Sequence, residues 1–148
     1  NNYYPEAKEY FKFTFVRNPW DRIVSEYHWF KHQSRKRKKK RWASITFDEF
    51  IEGGNDVPLD RYHDKSQYWF ICDDHGQCAV DVVGRFETLH EDFDKICKEI
   101  GIRQELPHVF KADRGHYMEY YNENTKQTVA ERFAVDIDMF GYTFEGDI

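Results

Sequence analysis

Arg17 is followed eight residues later by Ser25, and the chemistry that this pair and the residues between them suit is the holding of a phosphate. A guanidinium offers a planar fork of donors with a fixed positive charge. A helix start beside it adds free backbone N–H groups, and a hydroxyl adds one more donor. The elements around Arg17 and Ser25 can be read from residue type. Phe11, Phe13, Phe15 and Val16 are strand formers and predict a buried strand that ends on the arginine. Asn18 suits an N-cap, and Pro19 suits the first helical position, where its missing N–H is not needed. At about 100° per residue, Trp20, Ile23, Val24 and Tyr27 share one apolar face, while Asn18, Asp21, Arg22 and Ser25 lie opposite. Arg17 would then stand at the carboxyl end of a strand, the edge where α/β sheets bind ligands. The plainer alternative is a strand-to-helix turn whose arginine pairs with Asp21 or Glu26.

The run Phe15-Val16-Arg17-Asn18-Pro19-Trp20-Asp21-Arg22, with Ser25 and Tyr27, resembles the 3′-phosphate-binding motif of sulfotransferases that use 3′-phosphoadenosine-5′-phosphosulfate (PAPS). It is most similar to the carbohydrate-type branch, which holds the heparan and chondroitin enzymes and their bacterial relatives. The resemblance implies that Arg17 and Ser25 bind the 3′-phosphate of PAPS, the co-substrate, and that no metal takes part. Later stretches look like further blocks of the same family: Ser66-Gln67-Tyr68, Val83-Gly84-Arg85-Phe86-Glu87 with Leu89, Leu106-Pro107, and Asp136-Ile137 through Phe140-Gly141-Tyr142 and Phe144. Lys111 and Arg114 fall where that family folds over the adenosine and 3′-phosphate, so they are the further candidates for cofactor binding; an ordinary surface loop is the alternative.

The implied fold is α/β, a partial P-loop-type three-layer sandwich with a parallel sheet. Its N-terminal phosphate-loop unit is missing from these residues. The family holds the 5′-phosphosulfate with a glycine-rich loop and a lysine, whereas the first glycine here is Gly53. The family's base, commonly a histidine ahead of the strand, has no counterpart among residues 1–12. The catalytic residues are therefore unassigned. Residues 1–148 are expected to be the C-terminal portion of a single sulfotransferase domain, inactive alone. The intact enzyme would move a sulfuryl group to a sugar hydroxyl. The alternative is a nucleotide- or glycan-binding module without catalysis. Such an enzyme would sit in the cytoplasm of a bacterium or in the Golgi lumen of a eukaryote.

Composition agrees with one folded domain. The 148 residues are 40% hydrophobic and 18% aromatic, which excludes a disordered chain. No apolar run approaches a membrane span and no signal pattern opens the chain, which starts on Asn rather than Met. Net charge is −5, but Arg35 through Arg41 is seven consecutive cations, and the rest carries 15 basic against 27 acidic residues. So acidic a body excludes general polyanion or nucleic-acid binding and confines any anionic contact to one loop. That loop is either a solvated surface segment or, as the resemblance implies, the contact for an acidic sugar acceptor.

The remaining pattern is a series of local signals. Thr46 and Glu49 are spaced as a capping box with Ile45 and Phe50 as its hydrophobic staple, and Gly53-Gly54 closes that helix. Gln67 to Cys72 fits a strand or a helical turn, and Asp74-His75-Gly76 a turn. Residues 79–86 predict a second strand. Thr88 and Glu91 predict another capping box, for a helix with Leu89, Phe93, Ile96, Cys97 and Ile100 on one face. One last helix is expected from Asn122 or Asn124, burying Val129, Phe133, Ile137 and Phe140 and stopping at Gly141. Three cysteines give no disulfide framework, so three free thiols are expected. Cys72 and Cys78 could pair across a hairpin in an oxidising compartment or, with His75, contribute to a metal site that lacks a fourth ligand. His63 could approach a substrate, His28 and His32 read as helix surface, and Arg85 reads as paired with Glu87 or Asp81.

Overall fold

The computed structural model describes residues 9–53, 65–73, 75–107 and 114–146. Lys111 and His63 lie outside them. The described chain is an α/β arrangement of two parallel strands and seven α-helices, with one 3₁₀ turn. Strand β1 (Phe13–Val16) leads into α1 (Pro19–Lys36), followed by α2 (Lys40–Ala43), α3 (Phe47–Glu52) and α4 (Gln67–Ile71). Strand β2 (Val82–Arg85) pairs with β1 from Phe13↔Val82 to Val16↔Arg85. Then come α5 (Leu89–Glu99), a 3₁₀ turn at Tyr117–Tyr120, α6 (Glu123–Arg132) and α7 (Ala134–Phe140).

Helix α1 forms for the reasons its sequence suggests. The Asn18 side chain accepts from the Trp20 N–H, Pro19 opens the helix, and Trp20, Ile23, Val24, Tyr27 and Phe30 are buried. They meet Phe47, Phe50 and Ile51 of α3, Tyr117 of the 3₁₀ turn, and Val129 and Phe133 from α6 and its end. A second, smaller cluster joins Val16, Ile71, Phe140 and Tyr142. The chain crosses from one cluster to the other between Val16 and Trp20, so Arg17 emerges at their junction. The capping box Thr46–Glu49 is present, with both reciprocal bonds. Gly84 is required where it is: a Cβ there would lie 2.6 Å from the Phe15 ring.

Several expectations are corrected. The opening strand is short and only Val16 in it is buried; Phe13 is 40% exposed. The second strand covers 82–85 rather than 79–86. Thr88 forms no capping box with Glu91. Its hydroxyl donates to Asp92, which also accepts the Arg85 N–H at 2.9 Å, so the strand before the helix dictates which acid is used. The Lys95 ammonium, and then the bonds from the Arg85 N–H and the Thr88 hydroxyl, hold the Asp92 carboxyl at about 2, below its ordinary range. Of the α5 face, only Ile96 and Cys97 are buried. The expected last helix is two, broken at Phe133, which is at once the C-cap of α6 and the N-cap of α7.

Cys72 and Cys78 face each other in an antiparallel bridge with their sulfurs 2.9 Å apart; all three cysteines are free. Burial and the neighbouring Cys78 push the Cys72 thiol up to about 12. No helix among the described residues is long and apolar enough to cross a membrane.

Candidate functional site

The peptide of Arg17 is fixed by a side chain 50 residues away. The Arg17 N–H donates to Gln67 Oε1 at 2.8 Å, and the Gln67 Nε2 donates back to the Arg17 carbonyl at 2.8 Å. The amide thereby continues β1 by one residue, as a neighbouring strand would. Gln67 is itself held, because it opens α4, and that helix donates its first N–H groups to a carboxylate. Gln67 N reaches Asp136 Oδ2 at 2.7 Å and Tyr68 N reaches Oδ1 at 2.8 Å, while Ser66 caps Trp69. Asp136 is fully buried. The next residue, Asn18, donates its N–H to Glu87 Oε1 at 2.7 Å and its side-chain amide to the Thr143 carbonyl at 2.9 Å. Gln67, Glu87 and Asp136 belong to stretches already matched to the family, and the structure gives them one purpose: they hold the turn at Arg17 and Asn18.

The Arg17 side chain runs back over the first turn of α1. Its Nε and Nη2 both lie 2.6 Å from Asp21 Oδ2, and its guanidinium sits 4.1 Å from the centre of the Phe86 ring. From 93 residues further on, Arg114 places its Nη2 at 2.5 Å from the other oxygen, Oδ1. The Arg17, Asp21 and Arg114 side chains are 18%, 16% and 13% exposed, so solvent screens this cluster far less than a surface pair. Two positive charges share one negative, which leaves a net cation. The Arg17–Asp21 pairing is the one the plainer alternative expected. The arrival of a second guanidinium, on a separate segment, is what that alternative does not supply. Asp21 takes the Nε edge of Arg17, and the Nη1 side of its fork has no partner among the described residues.

Residues 114–121 form a strap along α1. Arg114 ties it to Asp21, the Tyr121 hydroxyl donates to the Trp20 carbonyl at 2.9 Å, and the Tyr120 hydroxyl lies 2.9 Å from His28 Nε2. Burial, and then the Asp21 charge, push the Tyr121 hydroxyl above its ordinary range, so it stays a neutral donor. At about 100° per residue Asp21, Ser25 and His28 form one column of α1, with Ser25 on the turn between the two cross-links. Ser25 is half-buried.

The structure thus brings Arg17, Ser25 and Arg114 to one place. Arg85 donates from its Nη2 to the Phe140 carbonyl at 2.5 Å, and its guanidinium lies over the Tyr142 ring. Arg22, the second arginine of the motif, pairs with Glu26 at 3.1 Å and leans on Phe133. His28 is no surface residue, since it is half-buried against Tyr27 and Tyr120. The sequence reading missed Asp21 as a shared anchor, although its i,i+4 spacing from Arg17 was visible. It also missed Asp136 as the cap of α4, for which no local signal exists.

The α/β fold is consistent with what comparison of the sequence finds. Residues 2–143 match the model of the Sulfotransferase family, and the chain belongs to that family. Among its relatives is carbohydrate sulfotransferase 10 of Xenopus laevis, 26% identical over 171 aligned positions that cover 90% of this chain and 47% of that protein. The Mus musculus carbohydrate sulfotransferase 10 is 28% identical, covering 91% of this chain and 48% of its own length. An uncharacterized protein of Archaeoglobus fulgidus is 29% identical over 100 positions, covering 66% and 72%. The chain spans about half the length of the carbohydrate sulfotransferases that it matches. No solved structure gives a significant match.

Proposed function

We propose that residues 1–148 are the 3′-phosphate-binding part of a PAPS-dependent sulfotransferase domain of the P-loop type, acting on a sugar hydroxyl. In that reaction the acceptor oxygen forms a bond to sulfur as the bond from sulfur to the 5′-phosphate oxygen breaks, and a base takes the hydroxyl proton. The residues described above bind and orient the nucleotide from its far end. Arg17 and Arg114 supply charge-assisted donors and Ser25 a hydroxyl, while the Gln67 and Glu87 brackets keep the arginine from rotating away. Lys111 belongs to the same proposal on resemblance alone. The observation that carries the reading is the meeting of two guanidiniums, Arg17 and an Arg114 that lies 93 residues beyond Asp21, on the one Asp21 carboxylate, one helical turn from a hydroxyl.

Titration calorimetry on the complete protein tests it. Adenosine 3′,5′-bisphosphate is expected to bind at least about tenfold more tightly than adenosine 5′-monophosphate, one tenfold being the smallest effect of a charge-assisted contact. Equal affinities would remove the assignment.

The relatives' name supports a carbohydrate acceptor, and the basic run supports an acidic one. Residues 35–41 are all exposed at the end of α1, on a turn where Lys38 takes a left-handed φ of 54°. Changing Lys38, Lys39 and Lys40 to Gln is expected to raise the acceptor KM several-fold and flatten its salt dependence, with nucleotide affinity unmoved. Steady-state kinetics on a carboxylated glycan at low and high salt reads this. Unchanged kinetics would return the run to a solvated loop.

A further inference from the structure

Helix α1 carries a third polar group in line with the phosphate cluster. His28 lies one turn beyond Ser25, and the strap bridges α1 on both sides of that serine: Arg114 to Asp21 before it, Tyr120 to His28 after it. The result is a notch about two helical turns long, roughly 10 Å, with Ser25 on the turn between its two ends. We infer that His28 closes the far end of this notch and takes up a proton when an oxyanion seats on Ser25. The inference rests on the notch being the phosphate site, and it adds a group that the motif does not contain.

The surroundings of the imidazole support it. Its Nε2 is paired with the Tyr120 hydroxyl at 2.9 Å, and the Tyr27 and Tyr120 rings stand edge-on to it, centroids 5.3 and 5.4 Å away. A tyrosine hydroxyl can donate to the neutral ring or accept from the charged one, so this bond survives a change of protonation. The charges acting on the ring among the described residues are Arg114 from the strap and Lys31 and Arg35 from α1 itself. Asp21, seven residues back along the helix, is engaged by both arginines. Burial and then these cations hold the imidazole below its ordinary value, so it is neutral in the empty site at neutral pH.

An anion beside Arg114 and Ser25 opposes that repulsion and favours the imidazolium. By linkage the anion must then bind more tightly as pH falls into the window between the free and bound midpoints, and this gain is lost as pH rises through the bound midpoint.

The test is an NMR titration of the His28 ring in the complete protein, assigned with His28→Gln, without and with saturating adenosine 3′,5′-bisphosphate. The midpoint is expected to rise on binding. Calorimetry from pH 8 to pH 5.5 should show the wild-type affinity gaining about threefold or more relative to the His28→Gln variant. The ratio removes the titration of the phosphate itself, and a glutamine keeps a partner for Tyr120. A midpoint that the nucleotide does not move, or a constant ratio, overturns the inference while leaving the 3′-phosphate reading intact. Loss of preference for the 3′-phosphate, by contrast, would overturn that reading.

Discussion

Arg17→Ala is expected to weaken binding of adenosine 3′,5′-bisphosphate by about 1.5–3 kcal/mol, roughly 10- to 150-fold, and to leave adenosine 5′-monophosphate nearly unaffected. Ser25→Ala removes a single neutral donor and should cost about 0.5–1.5 kcal/mol. Lysine should rescue Arg17→Ala poorly. The arginine lies flat on Phe86 and presents one edge to Asp21, and a point charge on a flexible stem reproduces neither contact. Because Asp21 keeps its bond to Arg114, the variant should remain folded, and unchanged urea unfolding would certify that the loss is one of recognition. Isothermal titration with both nucleotides measures the effect. An equal loss for the two would mean that Arg17 supports the fold and does not meet the 3′-phosphate.

Asp136→Ala should produce the largest loss of stability among single changes near the site, about 2–4 kcal/mol by urea unfolding. The carboxylate is fully buried and accepts two backbone N–H groups at the start of α4, so its removal leaves both donors without a partner. Asparagine should lose less, since its one oxygen can still serve one of the two. The same variant should also weaken nucleotide binding, because α4 carries the glutamine that brackets Arg17. A change below about 1 kcal/mol would show that water satisfies those N–H groups and that α4 stands without its cap.

What could be read from the sequence was whatever a few consecutive residues decide. The cap at Asn18, the proline after it, the apolar stripe of α1 and the Thr46–Glu49 box all rest on contacts within one or two turns, and all are present. The same logic failed where a distant group outbid the local one. Thr88 and Glu91 have the spacing of a box, but Asp92 takes over because it also serves the Arg85 N–H of the preceding strand. The break at Phe133 carries neither glycine nor proline; the ring is 1% exposed, and its place in the core outweighs continuity of the helix. For the site, residue types and spacing singled out Arg17 and Ser25, and family resemblance added Arg114. The partners that orient them, Gln67, Glu87 and Asp136, act across 50 to 69 residues, a range at which periodicity is silent.

The bond from Asn18 to the Thr143 carbonyl spans 125 residues, and it has a consequence for how the protein is made. At the usual pace of a ribosome, the Arg17 turn would emerge about 6–25 s before the carbonyl that completes its support. During that interval α1 has its N-cap and can coil, but Trp20, Ile23, Val24 and Tyr27 still lack Val129 and Phe133, against which they will pack. The nascent chain therefore carries a greasy helix ahead of its cover. Its birth should depend on holding chaperones far more than the finished molecule's stability would suggest, and a stall in translation between α1 and α6 should be a point of loss by aggregation or proteolysis.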